Sequence, residues 1–278
     1  MKHYFTRFEE AIKANWERPA LGNFRGEVFT FGELATQIAK FHVFFEAIGL
    51  KKGDKVALCA KNSARWGVTF FAANTYEAVL VPILADFHPE SVNSLVDHSE
   101  SLVLLTDTDI WSKLDIAKMP IVKAVVSTAD FKLLYAAEEA IQEANDNLET
   151  LFAEKYPDGF TAAHVNYPTD NINELALINY TSGTTNAPKG VMLSHMNISG
   201  NVDFGVHRIP HKEGDKVLSM LPVAHMFGLM YEFIYQVCVG THVHFLTKAP
   251  TPTTLMRAFS EVHPYMILTV PLVIEKII

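Results

Sequence analysis

Stretches that read as β-strands alternate with stretches that read as α-helices along most of this sequence, and that alternation limits the fold more than any other feature. Short apolar runs suited to strands occur at 55–60, 79–83, 102–106, 124–127, 175–180, 216–221, 241–246 and 265–270. Helical period fills several of the gaps. Residues 30–48 open on a Thr30/Glu33 capping box, place Leu34, Ile38, Phe41, Phe45 and Ile48 on one face, and stop at Gly49. Residues 63–74 form a second helical stretch, and the acidic, alanine-rich 136–155 a third. Strand, helix and strand in that order close into parallel βαβ units, so the expected class is α/β with layered parallel sheets. Lys52-Gly53-Asp54-Lys55-Val56 and Glu213-Gly214-Asp215-Lys216-Val217 each read as a turn feeding a strand. We expect one turn chemistry used twice there, not a duplicated half-domain.

The segment after the fifth strand carries the densest chemistry. Tyr180-Thr181-Ser182-Gly183-Thr184-Thr185-Asn186-Ala187-Pro188-Lys189-Gly190 packs five hydroxyl side chains, two glycines and one lysine into eleven residues. A helix-capable stretch begins at Ser194. The loop thus leaves a strand end, where α/β proteins place ligands. Gly183 and Gly190 let the backbone approach a ligand, the Thr and Ser hydroxyls and free N–H groups donate to an oxyanion, and Lys189 adds a mobile cation. That set suits a polyphosphate, and composition alone leaves a plain solvated loop open. The Walker P-loop does not fit, because its lysine follows the second glycine, whereas the order here is Pro188-Lys189-Gly190 and proline withholds an N–H.

A second chemical segment is Leu221-Pro222-Val223-Ala224-His225-Met226-Phe227-Gly228. It follows a strand and enters an apolar helix, which puts His225 on the loop's side of the sheet if both strands run parallel. A lone histidine there is more often structural than functional. Met226, Phe227, Met230 and Gly228 suit an alkyl chain.

The loop resembles the phosphate-binding signature of the adenylate-forming superfamily, which holds acyl-CoA synthetases, firefly-type luciferases and peptide-synthetase adenylation domains. The pattern [YF]-[TS]-[ST]-G-[TS]-T-G-x-P-K-G is met at every fixed position except Asn186, where glycine is usual. Asn accepts left-handed backbone better than other non-glycine residues. The form L-P-x-A-H-x-F at 221–227 looks most like the fatty acyl-CoA synthetases, as does Val270-Pro271 with Glu275-Lys276-Ile277. The resemblance implies that residues 1–278 are the N-terminal part of an AMP-binding domain, with a phosphate loop at 180–190 and an acyl-pocket segment at 221–228. It implies Thr181, Ser182, Gly183, Thr184, Thr185 and Lys189 as phosphate ligands, and His225, Met226, Phe227 and Gly228 on the acyl side. Lys189 and His225 would then support catalysis. The implied reaction is ATP-dependent activation of a medium- or long-chain fatty acid to acyl-AMP and then acyl-CoA, with Mg²⁺, and with coenzyme A as co-substrate. No acid lies between His225 and Tyr231 to pair an ammonium, so an α-amino acid is a poor substrate. The family's Y-G-x-T-E segment, ribose-binding aspartate, hinge and C-terminal domain with its lysine do not occur here. The chain also stops at Ile278 inside what reads as a helix from Pro271. The expectation is an N-terminal piece of a longer ligase that does not turn over alone. An adenylating enzyme that loads a carrier protein or activates another carboxylate, and a non-catalytic phosphate-binding unit, stay open.

Net charge of −8 and a pI of about 5.8 exclude the broad basic face that nucleic acid requires. The apolar runs at 68–84 and 226–240 are interrupted by Asn74, Glu77 and Pro82 and by Glu232 and Gln236, so neither reads as a membrane span. Peripheral membrane contact and a homodimer are left open. The N-terminus lacks a signal-peptide core, and Cys59 and Cys238 lie in apolar runs, which together suggest a cytoplasmic protein with buried free thiols. His242 and His244 share one strand face without a carboxylate or cysteine to complete a metal set, and read as part of a half-exposed strand.

Overall fold

A computed structural model of the chain describes residues 1–181, 188–248 and 250–269. In chain order the strands are β1 (Pro19–Asn23), β2 (Val28–Thr30), β3 (Lys55–Cys59), β4 (Val79–Ile83), β5 (Ser101–Thr106), β6 (Ala124–Ser127), β7 (Leu133–Ala136), β8 (Leu175–Thr181), β9 (Lys189–Ser194), β10 (Lys216–Ser219) and β11 (His242–Phe245). The helices are α1 (Tyr4–Ala14), α2 (Phe31–Ala47), α3 (Ala64–Thr75), α4 (Pro89–His98), α5 (Thr108–Trp111), α6 (Glu139–Asp146), α7 (Leu148–Lys155), α8 (His195–Arg208), α9 (Met226–Gly228), α10 (Tyr235–Cys238) and α11 (Pro252–Val262). A π-helical stretch, Leu229–Ile234, joins α9 to α10.

Two sheets result, one ordered β7-β6-β5-β3-β4-β8-β9 and the other β10-β11-β1-β2. The inner strands are parallel, as the alternation of elements requires. Three of the four edges are not: β7, β9 and β2 each fold back antiparallel on the preceding strand, whereas the edge β10 runs parallel to β11. Seven of the eight expected strands are present. At 265–269 only Met266 bridges, in parallel to Val217, and Val270 lies outside the described residues.

Helix α3 explains why the sheets form one body. It packs against β1 on one side and against β3 and β4 on the other, and every residue of it except Arg65 is buried. Ser63 caps it by accepting from the Trp66 N–H, and the expected Thr30/Glu33 capping box starts α2. Trp66, Phe70 and Phe71 of α3 meet Phe233, and Phe233 meets Phe245 of β11, so one apolar core spans both sheets.

The repeated turn has the same chemistry in both places. Asp54 accepts from the Lys51 N–H at 2.7 Å and Asp215 from the Lys212 N–H at 2.6 Å, while Gly53 and Gly214 take φ of +83° and +81°. Each turn opens a parallel pair, β3–β4 in one sheet and β10–β11 in the other.

Strand β11 corrects one expectation. It lies between β10 and β1 and is not half-exposed. The rings of His242 and His244 lie against each other, tilted by 39° with centroids 3.8 Å apart, and the Nε2 atom of each is buried without a partner among the described residues. Burial, chiefly, pushes their pKa values down to about 3 and about 4. Both cysteines are free and buried, as expected. Among the described residues no helix is long and apolar enough to cross a membrane.

Candidate functional site

Strand β8 runs parallel to β4 and ends at Thr181, where the chain turns back as β9. The hydroxyl-rich loop therefore joins two antiparallel strands, with Thr181 paired to Lys189 and Tyr180 to Gly190 at its base. The expected continuation into a helix is reached only after β9, at His195, where Ser194 caps α8. Ser182, Gly183, Thr184, Thr185 and Asn186 lie outside the described residues. Thr181 and Lys189 are exposed on either side of them. Gly190 is needed for space, because a Cβ there would stand 2.9 Å from Ile178 Cγ2 and 3.4 Å from the Tyr180 ring. The Tyr180 hydroxyl meets His98 Nδ1 at 2.7 Å, which ties the hairpin base to the end of α4.

The second segment approaches from the other sheet. Its parent strand β10 is not a neighbour of β8, so the route to the loop is by tertiary packing and not by sharing a sheet. Three buried or half-buried polar groups make that approach. Asn62, just beyond β3, donates to the Leu221 carbonyl at 2.7 Å and accepts from the Val223 N–H at 3.1 Å. Asn179 of β8 donates to the Ala224 carbonyl at 3.0 Å. Glu232, fully buried, accepts through Oε2 from the Ser219 hydroxyl and the N–H groups of Met220 and Leu221 at 3.0 to 3.1 Å. Sequence reading singled out none of these three for a role at the site.

Between the two segments opens a cleft of about 400 Å³ at the carboxyl ends of β4 and β8. One wall is apolar, from Pro82, Ile83, Leu84, Phe87 and Met226; Asn179, Tyr180, Thr181 and His225 supply polar atoms. His225 is exposed and caps the helix that follows, its Nδ1 accepting from the Phe227 N–H at 3.5 Å. Phe227 packs edge-on against Tyr231, and Gly228 is buried where a Cβ would stand 2.9 Å from the Pro222 carbonyl oxygen. Of the four residues expected on the acyl side, His225 and Met226 thus line the cleft. Below it, Cys59 points its thiol at the Leu84 carbonyl, and burial pushes that thiol's pKa up to about 12, which leaves it inert at neutral pH. Among the described residues no group of three His, Cys, Asp or Glu side chains could hold a metal ion. The arrangement offers an apolar trough with a hydroxyl and an imidazole at its mouth, beside a hairpin bearing an exposed lysine.

Comparison with known proteins gives this site a context. The AMP-binding enzyme family matches residues 8–278. A long-chain-fatty-acid–[acyl-carrier-protein] ligase of Arabidopsis thaliana, AEE15, is 28% identical over 261 residues, covering 89% of this chain and 34% of the relative. The long-chain-fatty-acid–CoA ligase ACSBG2 of Homo sapiens is 27% identical over 280 residues, covering 97% and 41% respectively. The chain therefore spans less than half the length of these relatives. Among solved structures, the anthranilate CoA ligase AuaEII in complex with anthranoyl-AMP has the same fold over 98% of this chain and 49% of that one, with a TM-score of 0.81 at 17% identity.

Proposed function

The chain belongs to the AMP-binding enzyme family, the adenylate-forming ligases that use ATP, and on that premise we propose that the whole protein activates a medium- or long-chain fatty acid and passes it to coenzyme A. The observation that carries this reading is the cleft. Its apolar wall suits an alkyl chain, its rim holds Thr181 and His225, and among the described residues no acidic side chain lines it to greet an ammonium group. The curated relatives described above act, by their names, on long-chain fatty acids.

In this reading a carboxylate oxygen of the fatty acid attacks the α-phosphorus of ATP, the bond to the bridging oxygen breaks, and pyrophosphate leaves. The thiolate of coenzyme A then attacks the acyl carbon and AMP departs with the bonding electrons. The first step brings two anions together, so its barrier falls when the phosphates are neutralised and held in line. Lys189 and Thr181, at the base of the hairpin, would serve the β- and γ-phosphates together with Ser182, Gly183, Thr184 and Thr185. His225 would border the carboxylate. The described residues contain no group of three His, Cys, Asp or Glu side chains that could hold Mg²⁺.

Titration of the chain with ATP by calorimetry tests the nucleotide half. Lys189→Ala should weaken binding about tenfold, the loss of roughly 1.4 kcal/mol for one exposed charge on a polyphosphate. Equal affinity of the two chains would count against the phosphate role. For the acyl half, a whole protein carrying this segment should release pyrophosphate with palmitate and ATP, and yield acyl-CoA when coenzyme A is added. A carrier protein as acceptor is the second reading, supported by the acyl-carrier-protein ligase among the relatives. Product analysis with each acceptor in turn separates the two.

A further inference from the structure

The carboxyl group of Glu232 plays no part in the chemistry proposed above, yet it is fully buried and only half satisfied. Its Oε2 collects three donors, whereas Oε1 has no partner among the described residues. The three donors are Ser219, the last residue of β10, and the N–H groups of Met220 and Leu221, which begin the segment that delivers Ala224 and His225 to the cleft. Glu232 itself sits in the π-helical stretch Leu229–Ile234. Such turns widen the helix by a residue and are common where a side chain must be re-aimed at a functional site.

We propose that Glu232 is the positioning residue of the cleft's His225 rim, and that the proton on its carboxyl sets where the 220–225 turn, and with it His225, stands relative to the cleft.

A buried carboxyl with one oxygen unpaired is cheaper neutral than charged. Burial accordingly raises its pKa from 4.5 to about 8, against the pull of the three hydrogen bonds. With the Oε2 lone pairs committed to donors, the proton resides on Oε1. Its loss turns the three contacts into charge-assisted bonds, which are shorter and stronger, and draws Met220 and Leu221 toward the helix. Asn62 and Asn179 hold the far side of the same turn, so the movement is a tilt about those two amides, and His225 lies beyond them. The titratable side chains on the elements packed against the π-helical stretch are Lys216 of β10, His195, Asp203, His207 and Arg208 of α8, Tyr235 and Cys238 of α10, Arg65 of α3, and His242 and His244 of β11. Among the described residues none of them bonds to Glu232.

The coupling is independent of any ligand; only its use in fatty-acid binding rests on the function proposed above. Nuclear magnetic resonance of the isotope-labelled chain reads it directly. The Met220 and Leu221 amides and the His225 ring should shift with one shared midpoint near the carboxyl's value of about 8. In Glu232→Gln, which keeps an acceptor oxygen and cannot titrate, that midpoint should vanish from all three. Ser219→Ala removes one donor to the charged form and should move the shared midpoint upward, which keeps the test alive if the glutamine variant fails to fold. Titration of Met220 and Leu221 without His225, or a midpoint that survives in Glu232→Gln, overturns the proposal. A second arm measures dodecanoate affinity at pH 7 and pH 9. A change of about fivefold, the low end of ordinary site coupling, is expected in the native chain and none in Glu232→Gln. Failure of dodecanoate to bind either chain counts against the fatty-acid reading, while the resonance shifts still decide the coupling.

Discussion

Asn179 gives up one amide hydrogen to the Ala224 carbonyl and is buried at the floor of the cleft. Alanine in its place leaves that carbonyl without its donor, at a cost of about 1–3 kcal/mol. The melting temperature of Asn179→Ala should drop by roughly 2–4 °C for each kcal/mol lost, and an unchanged melting temperature would show that the bond is dispensable. Such residues mark the limit of what the sequence discloses about the site. Thr181, Lys189, His225 and Met226 stand out as candidates because each sits in a local pattern: a hydroxyl-rich run, a Pro-Lys-Gly order, a strand end entering an apolar helix. Asn179 bonds a carbonyl 45 positions away, and Asn62 reaches groups 159 and 161 positions away. No local pattern announces a contact of that kind. Glu232 was read only as an interruption of an apolar run, and its partners become apparent once the π-helical stretch aims it back at β10.

Helix α3 shows how an element can be shaped by what it must fit between. Gly67 lies in its first turns, where glycine is about 1 kcal/mol worse than alanine for the helix itself. A Cβ at that position would stand 2.8 Å from Leu21 Cδ1 of β1 and 2.9 Å from the Phe233 ring, so the residue is small because a strand and an aromatic ring close on it. Overpacking of about 1–3 kcal/mol outweighs the gain in propensity, and Gly67→Ala should lower the urea midpoint without altering the slope. A variant more stable than the parent would mean that the layers part easily. The same contrast between local and tertiary control explains which strands were legible. Strands β3 to β6, and β10 at one edge of the smaller sheet, are compact apolar runs between turn signals, and their largely buried residues leave that signature. The edges β2, β7 and β9, and β1 beside β2, are short, hold Pro19, Gly22 and Gly190, or are largely exposed, so their pairing depends on a neighbour already in place.

One core spans both sheets, so protonation at any buried group bears on the stability of the whole chain. Burial pushes four histidines below their ordinary 6.5, His42 and His244 to about 4 and His195 and His242 to about 3, and it shifts His3 in the same direction. Below pH 6.5 the unfolded chain takes up protons at these positions and the folded chain does not, so acid favours unfolding. Glu232 works in the opposite sense. Its folded pKa of about 8 exceeds the ordinary 4.5, so the folded chain keeps a proton that the unfolded chain releases, and stability is lost as pH rises between those values. Between pH 4.5 and 6.5 four histidines outweigh one carboxyl by about three protons, a slope of up to roughly 4 kcal/mol per pH unit. Above 6.5 only the carboxyl term remains. The melting temperature should therefore peak near pH 7, fall steeply below pH 6 and decline gently toward pH 8. Exposed pairs such as Lys55–Glu100 lower a carboxylate pKa and weaken only as that group protonates, below the histidine window, so they do not mask the effect. His242→Asn combined with His244→Asn should flatten the acid limb, and Glu232→Gln the alkaline one. A melting temperature that stays level from pH 5 to 7 would mean that the histidine pair β11 carries is hydrated enough to accept protons in the folded chain.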